Sequence, residues 1–308
     1  TFLKKTAFTF PDKISLVYND RSYKWSETYT RCKKFASALQ ISGFKQGDTI
    51  GFLAMNTPEL YEAHYSVSMA GMILNAMNYR LDYKTLSYII DHSELVMIFV
   101  DLEFLEIAEK AISYSQEKPD IIVIEDSSAG FINSTKYLDY ENFLSKGNIN
   151  FVENCLEDEW DTIAVNYTSG TTGNPKGVML TNENILSNIE SVNTLFFDSK
   201  KTTSLNILPW AHIYSQTSEL YYSLLFNNRL AISSGKTHFL DELKEIKPEV
   251  LYLVPRVLDL IKEKAQIFDK PIIKNIIPLI LSRVFGGKLK YIFSGGAKLN
   301  NDTKKFYE

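Results

Sequence analysis

Cysteine is almost missing from this chain: Cys32 and Cys155 are the only two in 308 residues, 123 positions apart. The four histidines, His64, His92, His212 and His238, are scattered. This scarcity excludes a disulfide framework and a zinc or haem signature, and it fits a reducing compartment, so a cytoplasmic location is the expectation. Long apolar runs are missing too. The most apolar stretch, 272–285, is broken by Lys274, Asn275, Pro278 and Arg283, too short and too interrupted to span a bilayer. No secretory leader is visible. Nor is there an excess of positive charge: 33 Lys and Arg stand against 37 Asp and Glu, for a net charge of −4. That balance argues against a dedicated nucleic-acid binder.

What is present is ordinary globular composition, 45% hydrophobic and 23% charged. A chain of this length buries roughly 75% of the surface its unfolded form exposes and needs no staples. Short apolar runs at 49–54, 72–76, 96–100 and 121–124 alternate with helix-period segments at 57–70, 82–92 and 102–115. That alternation predicts a parallel sheet covered by helices. A hairpin is expected at 15–25 around Asn19-Asp20. A helix is expected at 26–42, with Ser26 as its cap and Gly43 as its stop. The rhythm pauses over 125–161, which reads as a surface loop and connector. It resumes with strands at 162–167, 205–208, 230–232, 250–254 and 289–293, and with helices at 182–195, 215–225, 240–246 and 256–267. The fold class is therefore α/β, as two layered lobes: 1–160 with the connector, and 161–308. The last residues read as a helix opening at Asn300 or Asn301 with no completed face, so the polypeptide is expected to be a piece of something longer at both ends.

The chemistry concentrates at 167–177, Tyr-Thr-Ser-Gly-Thr-Thr-Gly-Asn-Pro-Lys-Gly. Three glycines let backbone N–H groups approach an anion, the hydroxyls add donors, and Lys176 adds a cation. This specifies a phosphate cradle, although a polar hairpin loop has a similar composition. The Walker pattern fails at Pro175, and no G-x-G dinucleotide fingerprint occurs. The flanking runs predict that 168–177 is a loop between two strands and not the first turn of a helix.

The same string resembles the signature loop T-S-G-T-T-G-x-P-K-G of the adenylate-forming enzymes, which include acyl-CoA synthetases, peptide-synthetase adenylation domains and luciferase. The resemblance continues in Leu208-Pro209-Trp210-Ala211-His212, Val254-Pro255-Arg256 and Ser294-Gly295-Gly296-Ala297. Upstream, Asn56-Thr57-Pro58-Glu59 and Asn78-Tyr79-Arg80-Leu81 match N-x-x-E and N-x-R-L. The motifs span essentially the whole chain in the family's order, which leaves no room for an unrelated phosphotransferase.

The resemblance implies roles. Thr168, Ser169, Gly170, Thr171, Thr172 and Gly173 would wrap the phosphates of ATP, with Thr168 near Mg2+ and Lys176 as an assisting cation. His212 would line the acyl pocket near the reacting carboxylate, although a lone histidine after tryptophan is also an ordinary packing residue. Gly295, Gly296 and Ala297 would wall the adenine from the acyl group. The expected activity is an AMP-forming acid–CoA ligase: ATP and a carboxylic acid give an acyl-adenylate, and coenzyme A then displaces AMP. The 207–221 run looks most like long-chain fatty acid ligases, with Trp210, Tyr214, Tyr221 and Tyr222 as candidate tunnel residues. The expected partner is thus a small-molecule carboxylic acid, specifically a fatty acid, with no nucleic acid. A peripheral membrane contact through 272–290 competes with a packed helix there. The family's Y-G-x-T-E glutamate for magnesium, its ribose-binding aspartate and its C-terminal lid lysine lie outside the 308 residues, so the chain is expected to be an N-terminal portion, truncated before the lid domain and inactive alone. The alternative is a non-catalytic nucleotide-binding remnant or interaction protein.

Overall fold

The computed structural model describes residues 2–126, 130–132, 135–150, 158–168, 173–194, 202–235, 237–266 and 277–307. Its strands are β1 (Ile14–Tyr18), β2 (Arg21–Lys24), β3 (Thr49–Leu53), β4 (Ile73–Met77), β5 (Leu95–Asp101), β6 (Asp120–Ile124), β7 (Leu138–Asp139), β8 (Thr162–Thr168), β9 (Lys176–Thr181), β10 (Thr203–Asn206), β11 (Arg229–Ile232), β12 (Val250–Leu253) and β13 (Tyr291–Ser294). Among the described residues they form a seven-stranded sheet, β7-β6-β5-β3-β4-β8-β9, and a six-stranded sheet, β13-β12-β10-β11-β1-β2. Pairing is parallel except in the hairpins β1–β2 and β8–β9. The predicted α/β class holds.

The sheets are not divided at residue 160. The β8–β9 hairpin continues the first sheet, with Ala164 opposite Leu74. The N-terminal β1–β2 hairpin instead joins the sheet of the second half, with Leu16 opposite Leu230. Sequence order hides this exchange because an alternating hairpin fits the edge of either sheet. Which edge takes it depends on burial partners 214 positions away, where Leu16 and Leu230 are both fully enclosed.

Helices fill the space between the sheets and cover both outer faces. The middle layer holds Trp25–Ile41, Pro58–Met69 and the segment after His212, and it shares one apolar core with both sheets: Phe35, Tyr61 and Leu220 pack with Phe52 and Phe99 on one side and Leu16 and Leu230 on the other. Tyr83–His92 and Leu105–Tyr114 cover the outer face of the seven-stranded sheet. Phe239–Ile246 and Pro255–Gln266 cover that of the six-stranded sheet.

Three local expectations need correction. The first long helix starts at Trp25, and its opening N–H groups are served by Glu27, whose carboxylate accepts from Lys24 N–H at 2.7 Å. Ser26 is not the cap, because its hydroxyl donates to Pro11 O at 2.9 Å. The connector at 125–161 is not wholly a loop: β7 runs into the helix Tyr140–Ser145, whose Tyr140 and Phe143 rings stack around Phe35 and Phe99 at 5.2–6.0 Å. Six residues are too few to show a helical period, so only the packing reveals it. The helix Phe2–Thr9, which buries Leu3, Thr6 and Ala7, escaped for the same reason. At the other end Asn301–Tyr307 is docked, since the Tyr307 hydroxyl donates to Leu258 O at 2.9 Å.

Candidate active site

The hairpin that carries the 168–177 loop has the predicted form. β8 and β9 pair antiparallel up to Tyr167↔Gly177 and Thr168↔Lys176, so the loop leaves the sheet edge with Thr168 and Lys176, both exposed, facing each other at its base. Ser169, Gly170, Thr171 and Thr172 lie outside the described residues. Gly173 has φ +106°, a backbone that L side chains rarely adopt. Gly177 admits the Tyr167 ring: a Cβ there would sit 3.2 Å from its Cζ. The Tyr167 hydroxyl in turn bonds His92 Nδ1 at 2.7 Å, tying the stem of the loop to the helix Tyr83–His92.

From β9 the chain enters the helix Asn182–Asn193 through a Thr181 cap, with Thr181 Oγ1 accepting Asn184 N–H at 3.1 Å. This helix faces a second element, Ile213–Ser215, that continues as a π-helical turn, Gln216–Tyr221, and ends in Tyr222–Leu225. Between the two lies a cavity of about 210 Å³ lined by Leu180, Asn184, Asn188, Ile213, Tyr214 and Thr217, among others. π-Turns widen a helix by one residue and recur at functional sites.

His212 begins this element, its backbone N–H donating to Pro209 O at 3.1 Å. Its pKa lies below the ordinary histidine value, first because surrounding protein shields the ring and second because the Arg80 guanidinium is near. A neutral imidazole is therefore favoured. Tyr214 reaches the last predicted motif: its hydroxyl donates to Phe293 O at 3.0 Å, and its ring lies flat against Gly295, where a Cβ would be 2.2 Å from Cε2. The ring that Gly295 admits in the folded chain is thus that of Tyr214. Gly296 has φ +76°, and Ala297 is exposed beside it. The cavity therefore adjoins three of the sequence motifs without being lined by them: Leu180 continues the loop hairpin, Ile213 follows His212, and Tyr214 packs on Gly295. Of the tunnel candidates only Tyr214 lines it. Trp210 is fully buried against Tyr61, while Tyr221 and Tyr222 are core.

Beneath the cavity runs a buried polar layer that sequence reasoning missed. Asn166 on β8 donates to Gln216 Oε1 at 2.8 Å, and Gln216 Nε2 meets His64 Nδ1 at 3.2 Å. Asn206 donates to the Glu219 carboxylate and, at 3.2 Å, to Ser215. Nothing local marks these residues, because every partner lies on another element, 50 positions or more away for Asn166, Gln216 and His64. Burial pushes the Glu219 carboxyl up to about 8, against the opposing hydrogen bonds from Asn206 and Ser215. The folded chain therefore binds this proton more tightly than the unfolded chain does. The resulting stability is fully present below about pH 4.5 and is lost as pH rises through about 8, by at most about 1.4 kcal/mol per pH unit. Glu219→Gln is expected to flatten that part of the slope. Urea titrations from pH 5 to about pH 9 check it, and an unchanged slope would refute it.

Among the described residues no group of three His, Cys, Asp or Glu side chains is placed to hold a metal ion.

A family model described as AMP-binding enzyme matches residues 3–308. The chain belongs to that family. It is 38% identical over 191 residues to an acetate–CoA ligase of Humulus lupulus, a match covering 58% of this chain and 34% of that protein. It is 36% identical over 234 residues to a peroxisomal trans-cinnamate:CoA ligase of Petunia hybrida, covering 70% and 41%. The matches thus span between a third and about two fifths of these relatives' own length. The fold is that of solved adenylate-forming enzymes. An anthranilate CoA ligase in complex with anthranoyl-AMP aligns with TM-score 0.83 at 18% identity, over 97% of this chain and 55% of that one. The adenylation domain of a carboxylate reductase from Mycobacterium chelonae aligns with TM-score 0.85 at 17% identity, over 99% and 55%.

Proposed function

We propose that this chain is the nucleotide- and acid-binding portion of an AMP-forming acid–CoA ligase. The observation that carries the reading is the hairpin that pairs Thr168 with Lys176 and continues through Leu180 into a cavity whose Tyr214 packs on Gly295. In the proposed reaction a carboxylate oxygen attacks the α-phosphorus of ATP and the bond to the β-phosphate oxygen breaks, releasing pyrophosphate. The thiol sulfur of coenzyme A then attacks the acyl carbon and AMP leaves. The carboxylate is already a nucleophile, so the site needs donors and positive charge more than a general base. Residues 168–173 and Lys176 would supply these to the triphosphate and its magnesium. A neutral His212, next to the lining residue Ile213, would meet the acid, and 295–297 would separate it from the adenine.

The size of the cavity supports a smaller acid, if the acid lies there. About 210 Å³ lies below the roughly 300–1,000 Å³ of pockets for drug-sized ligands. A short or medium acyl chain, or a compact aryl acid, suits it better than the long chain expected from the sequence. The acids in the relatives' names, acetate and trans-cinnamate, support the same reading. The cysteine usage fits a reducing compartment, and the name of the Petunia relative favours the peroxisome over the cytoplasm. No described helix is long and apolar enough to cross a membrane. Of the membrane-contact segment expected at 272–290, residues 272–276 lie outside the described residues; the rest opens with the helix Ile277–Val284, whose Leu281 packs with the buried Phe285 against Phe239 and Leu243, which favours the packed-helix reading.

The test is ligand-observed NMR on the 308-residue chain with ATP and magnesium, then with butyrate, cinnamate, octanoate and palmitate. Saturable nucleotide binding that Lys176→Ala weakens, with octanoate or a smaller acid preferred over palmitate, is expected. An absence of saturable nucleotide binding would overturn the reading.

A further inference from the structure

Asn56 opens the N-x-x-E motif, and the proposed reaction has no use for it. It lies just beyond β3, in the seven-stranded sheet, yet its side chain crosses to the other sheet. Its Nδ2 donates to Leu208 O at 2.8 Å and also to Asn206 Oδ1. Its Oδ1 accepts the Trp210 N–H at 3.0 Å. Both polar atoms of one amide are thus committed to the 206–210 segment, the stretch that leads from β10 to His212.

That segment is held on its far side as well. Asn206 and Ser215 both donate to Leu208 O, at 3.1 and 3.0 Å. Trp210 is fully buried, with its ring 6.0 Å from Tyr61 and 6.2 Å from His64. Asn56 itself is fixed from behind, because the next residue, Thr57, caps the helix Pro58–Met69. Only a primary amide satisfies this set of partners. Aspartate would set a carboxylate against carbonyl oxygens, and an apolar isostere would leave the Trp210 N–H without its acceptor.

We propose that Asn56 is a positioning residue that holds the His212 segment, which follows β10 of the six-stranded sheet, in place against the seven-stranded sheet and the Arg80 turn that follows its β4. What His212 does there rests on the proposed function; where it sits does not. Arg80 follows β4, the direct neighbour of β3, so Asn56 and Arg80 move together while His212 belongs to the opposite side. Releasing the clasp lets His212 drift from the guanidinium and toward water, and both changes relax its suppressed protonation.

The experiment follows the imidazole C–H resonances of the intact 308-residue chain through a pH titration. Asn56→Ala and Asn56→Asp are expected to raise the His212 midpoint by about half a pH unit or more, while His238, far from the clasp, stays put. Thr57→Ala weakens the adjacent helix cap but spares the clasp, and it should leave His212 where it was. If either Asn56 variant fails to fold, Asn56→Ser retains a short polar group and should give a smaller rise of the same sign. A His212 midpoint unchanged in a folded Asn56 variant would overturn the proposal, as would an equal rise in Thr57→Ala. Nucleotide binding measured on the same samples keeps the two readings apart: its absence counts against the ligase assignment, whereas the His212 midpoint alone decides the clasp.

Discussion

Arg31→Ala is expected to destabilise the chain by about 3–5 kcal/mol at about pH 8, and by much less at about pH 5. Arg31 serves two carboxylates. Its Nε donates to Glu62, which is 2% exposed, and its two Nη groups donate to Glu141 at 2.5 and 3.1 Å. The Tyr140 hydroxyl completes the cage with a 2.7 Å bond to Glu62 Oε2. Burial nevertheless dominates, and the Glu62 carboxyl is pushed up to about 7 even with the cation beside it. Its pKa is raised on folding, so the protonated form contributes stability that is fully present below about pH 4.5 and lost as pH rises through about 7. Removing Arg31 withdraws the charge that offsets the buried carboxylate, so the loss is largest above that window. Below it the protonated acid no longer needs a cation. Glu62→Gln in the Arg31→Ala background should recover part of the loss at high pH. The measurement is urea unfolding at the two pH values, and an equal loss at both would show that packing, and not the ion pair, is what Arg31 supplies.

Gly295→Val is expected to weaken acid binding about 10- to 100-fold while leaving the fold intact. Gly295 does not occupy the left-handed region, so the backbone tolerates a side chain. The space does not: the first added carbon would lie 2.2 Å from Tyr214 Cε2 and 2.6 Å from Cδ2. Tyr214 must then leave, giving up its hydrogen bond to Phe293 O and turning into the cavity that it lines with Ile213 and Thr217. Forced repacking of this kind costs about 1–3 kcal/mol, which is the range stated. Because the clash is with one ring, Gly295→Val with Tyr214→Ala should bind better than Gly295→Val alone. Titrating octanoate into the nucleotide-saturated chain compares the variants. Normal affinity in Gly295→Val would mean that the acid does not sit beside Tyr214.

The sequence by itself determined the local pieces. Asn19 turns the first hairpin at φ +50°, Gly43 stops the first long helix at φ +85°, and Thr57 and Pro58 open the next, because caps and turns depend on residues within a few positions of each other. The apolar runs on either side of 168–177 likewise announced the hairpin that carries this loop. Tertiary structure alone decided how the pieces were shared out. The first hairpin went to the later sheet and the loop hairpin to the earlier one, because both faces of a buried strand must find apolar neighbours wherever the chain provides them. It also placed Tyr214 on Gly295 and drew Asn56, Asn206, Gln216 and Glu219 into one buried layer. A buried amide or carboxyl is stable only when partners meet it, and for these residues most of the partners lie tens to more than a hundred positions away, where no local pattern can register them.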